Sequence, residues 1–251
     1  MKRIVLALFL LVPVVAGAQE YSWSAATMDG SRSSAVETGN AKPGCSAAKV
    51  IKIVADAQPA MSKVKEVIGV SAEALSKDYP VSALSNWTVD TIMEKVEELS
   101  GKKVHIGFAN FGGIRVDMPK GEILLDDILS MFPFKNNLVY LEHKGSTIRA
   151  IIECMAAGKF QIFGGMSVVV ENGKVVSIMV GDQPLEDDKV YGVATNSFLL
   201  HGGDGLYLSN DAISEVIYDS FMMDALLEDI RKTHAQGKKF EYVTDSRIVI
   251  R

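Results

Sequence analysis

Two alternating runs joined by Asn172-Gly173 constrain the fold of this chain more than any other feature. The stretch is MSVVVENGKVVSIMV, residues 166–180. An Asn-Gly dipeptide between two such runs is the strongest short-range signal for a β-hairpin, because both residues tolerate the positive φ angles of a type I′ turn. The fold therefore contains at least one antiparallel strand pair, which excludes a sheet made of parallel strands alone.

Further strands and helices alternate along the chain. Runs rich in β-branched and aromatic residues predict strands within residues 64–72, 104–109, 136–143, 189–200 and 241–251. Apolar residues at helical spacing predict helices over residues 47–58, 85–101, 124–130, 146–158 and 213–236. Because helices and strands are intermixed and a hairpin is present, the fold class is α+β, or α/β with a mixed sheet and helices.

Two of these helices carry signals for their ends. Ser85 or Asn86 is the expected N-cap of the first, and Gly101 its stop. Its apolar stripe consists of Val89, Ile92, Met93, Val96 and Leu99. Ser146 is the expected cap of the second, which ends at Gly158. The residues that it turns inward are Ile148, Ile151, Ile152 and Met155.

The first residues, MKRIVLALFLLVPVVAGAQE, are typical of a secretory signal peptide. Lys2 and Arg3 precede an apolar run that ends in Ala16-Gly17-Ala18, a small-x-small cleavage site. We expect cleavage after Ala18 and a periplasmic or secreted protein. The run is short for a bilayer span, which needs about 20 apolar residues, and no later segment is longer, so no membrane span is expected.

The mature chain is expected to hold one domain. Residues 19–46 are rich in Ser, Gly, Ala and Thr and predict an extended arm. Residues 47–251 contain neither an internal repeat nor a linker. The two cysteines, Cys45 and Cys154, either form a disulfide or remain two unpaired thiols. The second alternative is favoured because Cys154 is expected on a buried helix face.

Charge and histidine spacing argue against two classes of function. The net charge is -5 and no block of consecutive Lys or Arg occurs, which argues against a nucleic-acid partner. None of the four histidines has the spacing typical of metal ligands. Neither a Gly-x-Ser-x-Gly nor a phosphate-binding Walker motif occurs. No catalytic residue, metal or cofactor is therefore expected on this chain.

Five residues near predicted strand ends could contact a small ligand. They are Asn110 and Arg115 in NFGGIR, Phe134 in FPF, and Phe198 and Asp204 in NSFLLHGGDG. The arginine fork suits a phosphate, the carboxylate suits paired hydroxyls, and neighbouring glycines let the backbone approach a ligand. Taken singly, each has a structural explanation, since a Phe beside a proline usually packs in the core and GGDG usually forms a tight turn.

Taken together, these motifs resemble the C-terminal domain of the 5'-nucleotidase family. The shared pattern is Asn-x-Gly-Gly-Ile-Arg, then Pro-Phe, then Asn-x-Phe-Leu and Gly-Gly-Asp-Gly, in the same order, between about Leu84 and Leu206. FGGMSV and LSNWTVD fit the same pattern, with Ser85 in place of a glycine. The resemblance implies the fold of that domain.

The resemblance also implies a role for each residue. Phe134 and Phe198 would hold a nucleobase between them, and Asp204 would accept hydrogen bonds from the ribose hydroxyls. Arg115 would meet the phosphate, and Asn110 would lie where the substrate approaches the metal centre. Further candidates for contact are Gly112, Gly113, Gly164, Gly202, Gly203 and Lys77.

Two departures from the family pattern bear on function. An arginine expected about eight residues before Asn86 is replaced by Asp78, and Lys77 or Arg32 would have to substitute for it. The metallophosphatase motifs Asp-x-His, Gly-Asn-His and His-x-His are missing from these residues. The resemblance therefore implies an exported nucleotide-recognition domain that acts with a separate metallophosphatase chain, which would carry the divalent metals.

Two alternatives remain open. One is a non-catalytic periplasmic module that binds a nucleoside or nucleotide, which needs the two rings and Asp204 but no phosphate contact. The other is a degenerate structural domain that binds no nucleoside. Whether this chain is itself part of an enzyme is left open by the sequence.

Overall fold

Strands and helices alternate along the part of the chain that the structure describes. The structure is a computed structural model that describes residues 60–245 and 247–251, together with Ile53 and Asp56. The expected signal peptide, the arm, Arg32 and Cys45 lie outside the described residues. The helix expected over 47–58 also lies outside them, apart from those two positions. Within the described part of the chain, no helix is long and apolar enough to cross a membrane.

The elements are numbered in chain order. The strands are β1 (Val67–Ser71), β2 (Ile106–Ala109), β3 (Gly121–Leu124), β4 (Asn137–Lys144), β5 (Ile162–Gly164), β6 (Met166–Glu171), β7 (Lys174–Val180), β8 (Gln183–Pro184), β9 (Val190–Asn196), β10 (Ser214–Phe221) and β11 (Ile248–Ile250). The α-helices are α1 (Ala83–Ser100), α2 (Leu125–Met131), α3 (Gly145–Ala157) and α4 (Met222–Ala235). Short 3-10 helices lie at Ala60–Lys65, Phe111–Gly113, Ser197–Leu199 and Gly203–Gly205.

The central sheet has five strands in the order β10-β4-β9-β2-β5. Strands β2 and β9 are parallel, with Ile106 opposite Val193, and the other neighbours are antiparallel. Such a sheet, combined with the four α-helices interspersed in the described part of the chain, confirms the predicted mixed α and β class.

The Asn172-Gly173 hairpin is confirmed. Strands β6 and β7 are antiparallel with Glu171 opposite Lys174, and both turn residues have positive φ angles, 51° and 74°. This hairpin forms a second sheet in the order β11-β6-β7-β8, in which β11 runs parallel to β6. The closing strand is therefore shorter than the stretch 241–251, because only Ile248–Ile250 pairs with β6.

Alternate residues of β4 face two different cores. Leu138 and Tyr140 pack in a cluster with residues of α1, α2 and α4. Val139 and Leu141 pack on the opposite face with α3 and the hairpin strands. The mixed sheet is therefore the middle layer between helices on one face and α3 with the hairpin sheet on the other.

The helix ends differ in part from those expected. Helix α1 is capped by Ser82, not by Ser85 or Asn86, because Ser82 accepts from the Ser85 amide while the Ser85 hydroxyl accepts from the Ser82 amide. Gly101 ends it with a φ of 63°, as expected. Helix α3 begins at Gly145 with Lys144 as its cap position, so the expected cap at Ser146 is wrong.

Burial agrees with most of the predicted apolar positions. Val89, Ile92 and Val96 of α1 are fully buried, whereas Leu99 is partly exposed at its last turn. On α3 the buried residues are Ile148, Ile152 and Met155. Cys154 is exposed, not buried as expected, because it lies on the side of α3 that faces away from these residues.

The long helix expected over residues 213–236 is wrong in its first part. Residues Ser214–Phe221 form β10, which pairs with β4, and only Met222–Ala235 are helical. Its apolar residues fit helical spacing, but Val216, Ile217 and Tyr218 are β-branched or aromatic and suit a strand. The open edge of β4 supplies backbone partners that a helix over these residues would leave unused.

A polar network holds the C-terminal segment against α1. Arg247 donates two hydrogen bonds to Asp90, at 2.8 and 2.5 Å, and one to Asp245 at 2.7 Å. Tyr242 also donates to Asp90. Burial, together with the Asp90 carboxylate, raises the pKa of Tyr242, so this hydroxyl stays protonated and remains a donor. The network fixes residues more than 150 positions apart in sequence.

Candidate functional site

Three loops meet at one edge of the mixed sheet. Because β2 and β9 are parallel neighbours, their carboxyl ends, Ala109 and Asn196, lie at the same edge. Strand β4 runs antiparallel to β9, and its amino end lies there too, with Leu138 opposite Asn196. The loops that follow β2 and β9 and the loop that precedes β4 therefore converge, although they are far apart in sequence.

The converging loops enclose an open cleft of about 210 Å³. Its lining residues are Asn110, Gly112, Arg115, Phe134, Asn136, Phe198 and Asp204. All five principal residues predicted from the sequence line this cleft. The alternative that Phe134 packs in the core is wrong, because this residue is 44% exposed, and Phe198 is 45% exposed.

The position of Phe198 is fixed by contacts with Asn196 and Gly203 in its own loop. The Asn196 side chain accepts a hydrogen bond from the Phe198 amide at 3.1 Å, which caps the short helix Ser197–Leu199. A Cβ atom on Gly203 would lie 2.1 Å from the Phe198 carbonyl oxygen and 2.7 Å from its ring. A glycine is therefore required at position 203 for this close approach.

Asp204 extends from the turn that this glycine begins. The turn is closed by hydrogen bonds from the Gly205 amide to the Gly202 carbonyl and from the Gly202 amide to the Leu206 carbonyl. Asp204 itself has a positive φ of 48°, which short polar side chains tolerate better than most. Its exposed carboxylate accepts a hydrogen bond from the Asn110 side-chain nitrogen, at 2.9 Å from Oδ2.

Arg115 supplies a positive charge on the opposite loop. Its guanidinium donates to the Gly112 carbonyl at 3.2 Å and lies 5.8 Å from the centroid of the Phe134 ring. Within the described residues, Arg115 forms no ion pair with a carboxylate. An arginine without an acidic partner retains its capacity to bind an anion.

Two of the predicted candidates lie away from the cleft. The Lys77 ammonium donates to the Ile114 carbonyl, beside the loop but outside the lining. Gly164 lies in β5, where a Cβ would be 3.0 Å from Arg247 Nη1 and from Asp90 Oδ1. Its missing side chain makes room for the ion pair described above, which is a structural role.

The remaining glycines surround the cleft residues. Gly112 lines the cleft, and Gly113 lies against the Asn110 side chain. Gly202 lies against the ring of the exposed Tyr207, and a Cβ atom added to Gly202 would be about 3.0 Å from that ring. Because Gly112, Gly113 and Gly202 have no side chains, the loops that form the cleft can pack close together.

Asn136 is a lining residue that sequence reasoning missed. It lies between Phe134 and the start of β4, and its carbonyl accepts a hydrogen bond from the Met222 amide at 2.9 Å. Nothing in FKNN distinguishes it from the following Asn137, so only the position two residues after Phe134 could have indicated it.

The cleft has no donor set for a metal ion. Among the residues that the structure describes, no three His, Cys, Asp or Glu side chains converge in a way that could hold one. The lining instead combines two rings, one carboxylate, two carboxamides and one guanidinium. This chemistry suits a ligand with an aromatic part, hydroxyl groups and a negative charge.

Known proteins share both the sequence pattern and the fold. Protein UshA of Yersinia enterocolitica is 29% identical over 143 residues, 55% of this chain and 26% of that protein. A 5'-nucleotidase of Vibrio vulnificus is 30% identical over 115 residues, 44% of this chain and 21% of that protein. The chain thus spans about a quarter of the length of these curated relatives.

Solved structures of nucleotidases share the fold of this chain. A 5'-nucleotidase precursor from Thermus thermophilus superposes with a TM-score of 0.69 at 26% identity, over 81% of this chain and 43% of that one. An NAD nucleotidase from Haemophilus influenzae superposes with a TM-score of 0.61 at 22% identity, over 81% of this chain and 41% of that one. The family model of the 5'-nucleotidase C-terminal domain matches residues 26–210. This chain therefore belongs to the 5'-nucleotidase C-terminal domain family.

Proposed function

We propose that the cleft binds a nucleoside phosphate and that this chain is the substrate-recognition domain of an exported 5'-nucleotidase. The observation that carries the proposal is the pair of half-exposed rings, Phe134 and Phe198, which line one cleft together with Asp204 and Arg115. Large apolar side chains normally pack away from water, so two exposed rings in one cleft favour a ligand with a flat face.

The two rings bind the nucleobase by stacking. Stacking of a base on an aromatic side chain contributes about 1–3 kcal/mol, which corresponds to about 5- to 160-fold in affinity. Every base has a flat face, so the contribution depends little on which base is bound. Both rings project from loops fixed to the sheet, and little conformational entropy is therefore lost on binding.

Asp204 and Arg115 bind the sugar and the phosphate. A carboxylate has two oxygens that can accept from the two vicinal hydroxyls of a ribose, and charge-assisted hydrogen bonds are the stronger kind. Arg115 has no acidic partner among the described residues and is available to a phosphate. Adenosine monophosphate combines all three recognised groups.

Hydrolysis needs a second component in this proposal. A separate metallophosphatase chain would carry the divalent metals, which supply an activated water and stabilise charge on the phosphate. This chain contributes binding and orientation of the substrate, which can lower a barrier by several kcal/mol. Export is part of the proposal: the protein recovered from the periplasm or the medium begins at Gln19.

Calorimetric titration with adenosine monophosphate tests the binding step. Phe134→Ala and Phe198→Ala should each weaken binding by about 5- to 160-fold, because each removes one stacking surface. Ile217→Ala is the matched control, since Ile217 is also a half-exposed apolar residue, at 52%, but lies on β10 and is not part of the lining. Absence of binding by the wild type, or equal effects of all three substitutions, refutes the proposal.

The partner is tested by reconstitution. The purified chain is mixed with each candidate metallophosphatase of the same genome, and phosphate release from adenosine monophosphate is measured. We expect one combination to exceed the phosphatase alone. No gain with any candidate contradicts the role in hydrolysis, while the binding proposal would stand on the titrations.

One observation favours a second candidate, a module that binds nucleosides without hydrolysis. Arg115 is the single cationic residue of the described cleft lining, because Lys77 lies outside it. Equal affinities for adenosine and its monophosphate would support this candidate. Tighter binding of the monophosphate that is lost in Arg115→Ala, but kept in the helix α4 control Arg231→Ala, would support the nucleotidase component.

A further inference from the structure

We propose that Asn110 is a positioning residue that fixes the Asp204 carboxylate, and that this contact makes the cleft select ribose over sugars lacking vicinal hydroxyls. The inference rests on the proposed function and deepens it. It also differs from the role implied by resemblance, in which Asn110 meets the substrate near the metal centre.

The first observation is how the Asn110 side chain is committed. Asn110 is only 5% exposed, and its side-chain nitrogen donates to Asp204 Oδ2 at 2.9 Å across 94 residues of sequence. No other hydrogen bond to the Asp204 carboxylate occurs within the described part of the chain. The orientation of this carboxylate therefore depends on a single donor.

The second observation is that the orientation of the carboxamide is itself determined. Asn110 Oδ1 is buried and has no hydrogen-bond partner among the described residues. Exchanging its nitrogen and oxygen would place an oxygen against the Asp204 carboxylate, which repels it. The arrangement is kept although it leaves a buried acceptor unpaired, a state that proteins seldom retain.

The third observation is that the NFGGIR loop encloses this contact. A Cβ on Gly113 would lie 3.0 Å from Asn110 Oδ1. A Cβ on Gly112 would lie 3.4 Å from both Asn110 Nδ2 and Asp204 Oδ2. The two glycines thus bring the backbone close to the pair, and side chains at these positions would crowd it.

The consequence concerns the free acceptor sites of Asp204. With Oδ2 held by Asn110, Oδ1 and the remaining lone pair of Oδ2 stay directed toward a ligand. Two neighbouring hydroxyls can then be bound by one carboxylate whose orientation is already fixed. Without Asn110 the exposed side chain rotates, and its oxygens are no longer held for two donors at once.

Titration with adenosine and 2',3'-dideoxyadenosine tests this role. The measured quantity is the ratio of the two dissociation constants, which reports recognition of the hydroxyls and cancels changes in base stacking. For the wild type we expect about tenfold or more in favour of adenosine, since two hydrogen bonds to a charged group are lost with the dideoxy ligand. Asp204→Ala should bring the ratio close to one.

Asn110→Ala should lower the ratio toward that of Asp204→Ala, and the double variant should equal Asp204→Ala alone. Asn110→Asp, which keeps the size of the side chain but repels Asp204, should lower it as well. Asn210→Ala is the matched control, because Asn210 is an exposed asparagine outside the cleft lining, and it should keep the wild-type ratio.

The outcomes separate this inference from the proposed function. If the wild type binds adenosine and Asp204→Ala lowers the ratio, but Asn110→Ala changes both affinities equally, Asn110 is only structural and the inference is wrong. If Asp204→Ala leaves the ratio unchanged, the inference also fails. If neither ligand binds to the wild type, the proposed function fails, and the inference fails with it.

Discussion

The Asp90–Arg247 ion pair gives the sharpest prediction about stability. In the Arg247→Met variant, the guanidinium that donates two hydrogen bonds to Asp90 is replaced by an apolar side chain of similar length. The Arg247 side chain is 10% exposed and that of Asp90 is 31% exposed. The substitution therefore leaves a largely buried carboxylate with Tyr242 as its remaining donor.

The magnitude follows from this burial. Breaking a fully buried ion pair costs about 3–5 kcal/mol, because the partner charge is left uncompensated. Asp90 retains nearly a third of its exposure, so solvent screening reduces the expected loss to about 2–3 kcal/mol. With a urea slope of about 2 kcal/mol per molar, the unfolding midpoint should fall by about 1–1.5 M.

Urea unfolding followed by fluorescence of the buried Trp87 measures this loss. Arg251→Met is the matched control, because Arg251 pairs with Glu171 at 3.4 Å while 69% exposed, and such a pair contributes only about 0–1 kcal/mol. Adding Asp90→Asn to Arg247→Met should restore part of the stability by removing the stranded charge. A loss in Arg247→Met no larger than in the control would refute this account of the network.

Three further predictions concern the fold and the cleft. Ser82→Ala should lower the free energy of unfolding by about 1 kcal/mol, because the capping box of α1 is lost, and thermal unfolding measures it. Burial lowers the pKa of His143 and of His105, so the unfolded state binds protons more readily than the folded state. The free energy of unfolding should therefore fall as the pH drops below about 6.5. A urea midpoint that stays constant between pH 7 and pH 5 would contradict this. Gly203→Ala should lower the free energy of unfolding by about 1–3 kcal/mol and weaken nucleoside binding, because the added Cβ would clash with the Phe198 carbonyl. A dissociation constant that calorimetric titration finds unchanged would show that the turn adapts.

Sequence patterns predicted those turns and helix ends that depend only on residues adjacent in the chain. The Asn172-Gly173 hairpin follows from two residues that accept positive φ, and Gly101 ends α1 for the same reason. The sequence prediction places the cap of α1 three or four residues too late, because Ser82, Ser85 and Asn86 lie within five positions and offer similar signals. Only the reciprocal contact between Ser82 and Ser85 distinguishes them.

Contacts between distant segments were beyond the reach of such patterns. Residues 214–221 have apolar positions compatible with either a helix or a strand, and pairing with β4, more than 70 residues earlier, decides for the strand. The bond from Asn110 to Asp204 and the ion pair beside Gly164 likewise join segments far apart. The motifs thus predicted most of the residues that line the cleft, with Asn136 missed, but not which of them contact each other.

The parallel alignment of β2 and β9 has a consequence for how the cleft forms during folding. Ile106 of β2 pairs with Val193 of β9, which is 87 positions later in the sequence, and no hairpin can join two parallel strands. Long-range pairing of this kind forms slowly, because the entropy of closing a large loop is lost before the contacts compensate for it. Ligand binding should therefore return only in the last kinetic phase of refolding, and a nascent chain released before β9 is synthesised would have no cleft.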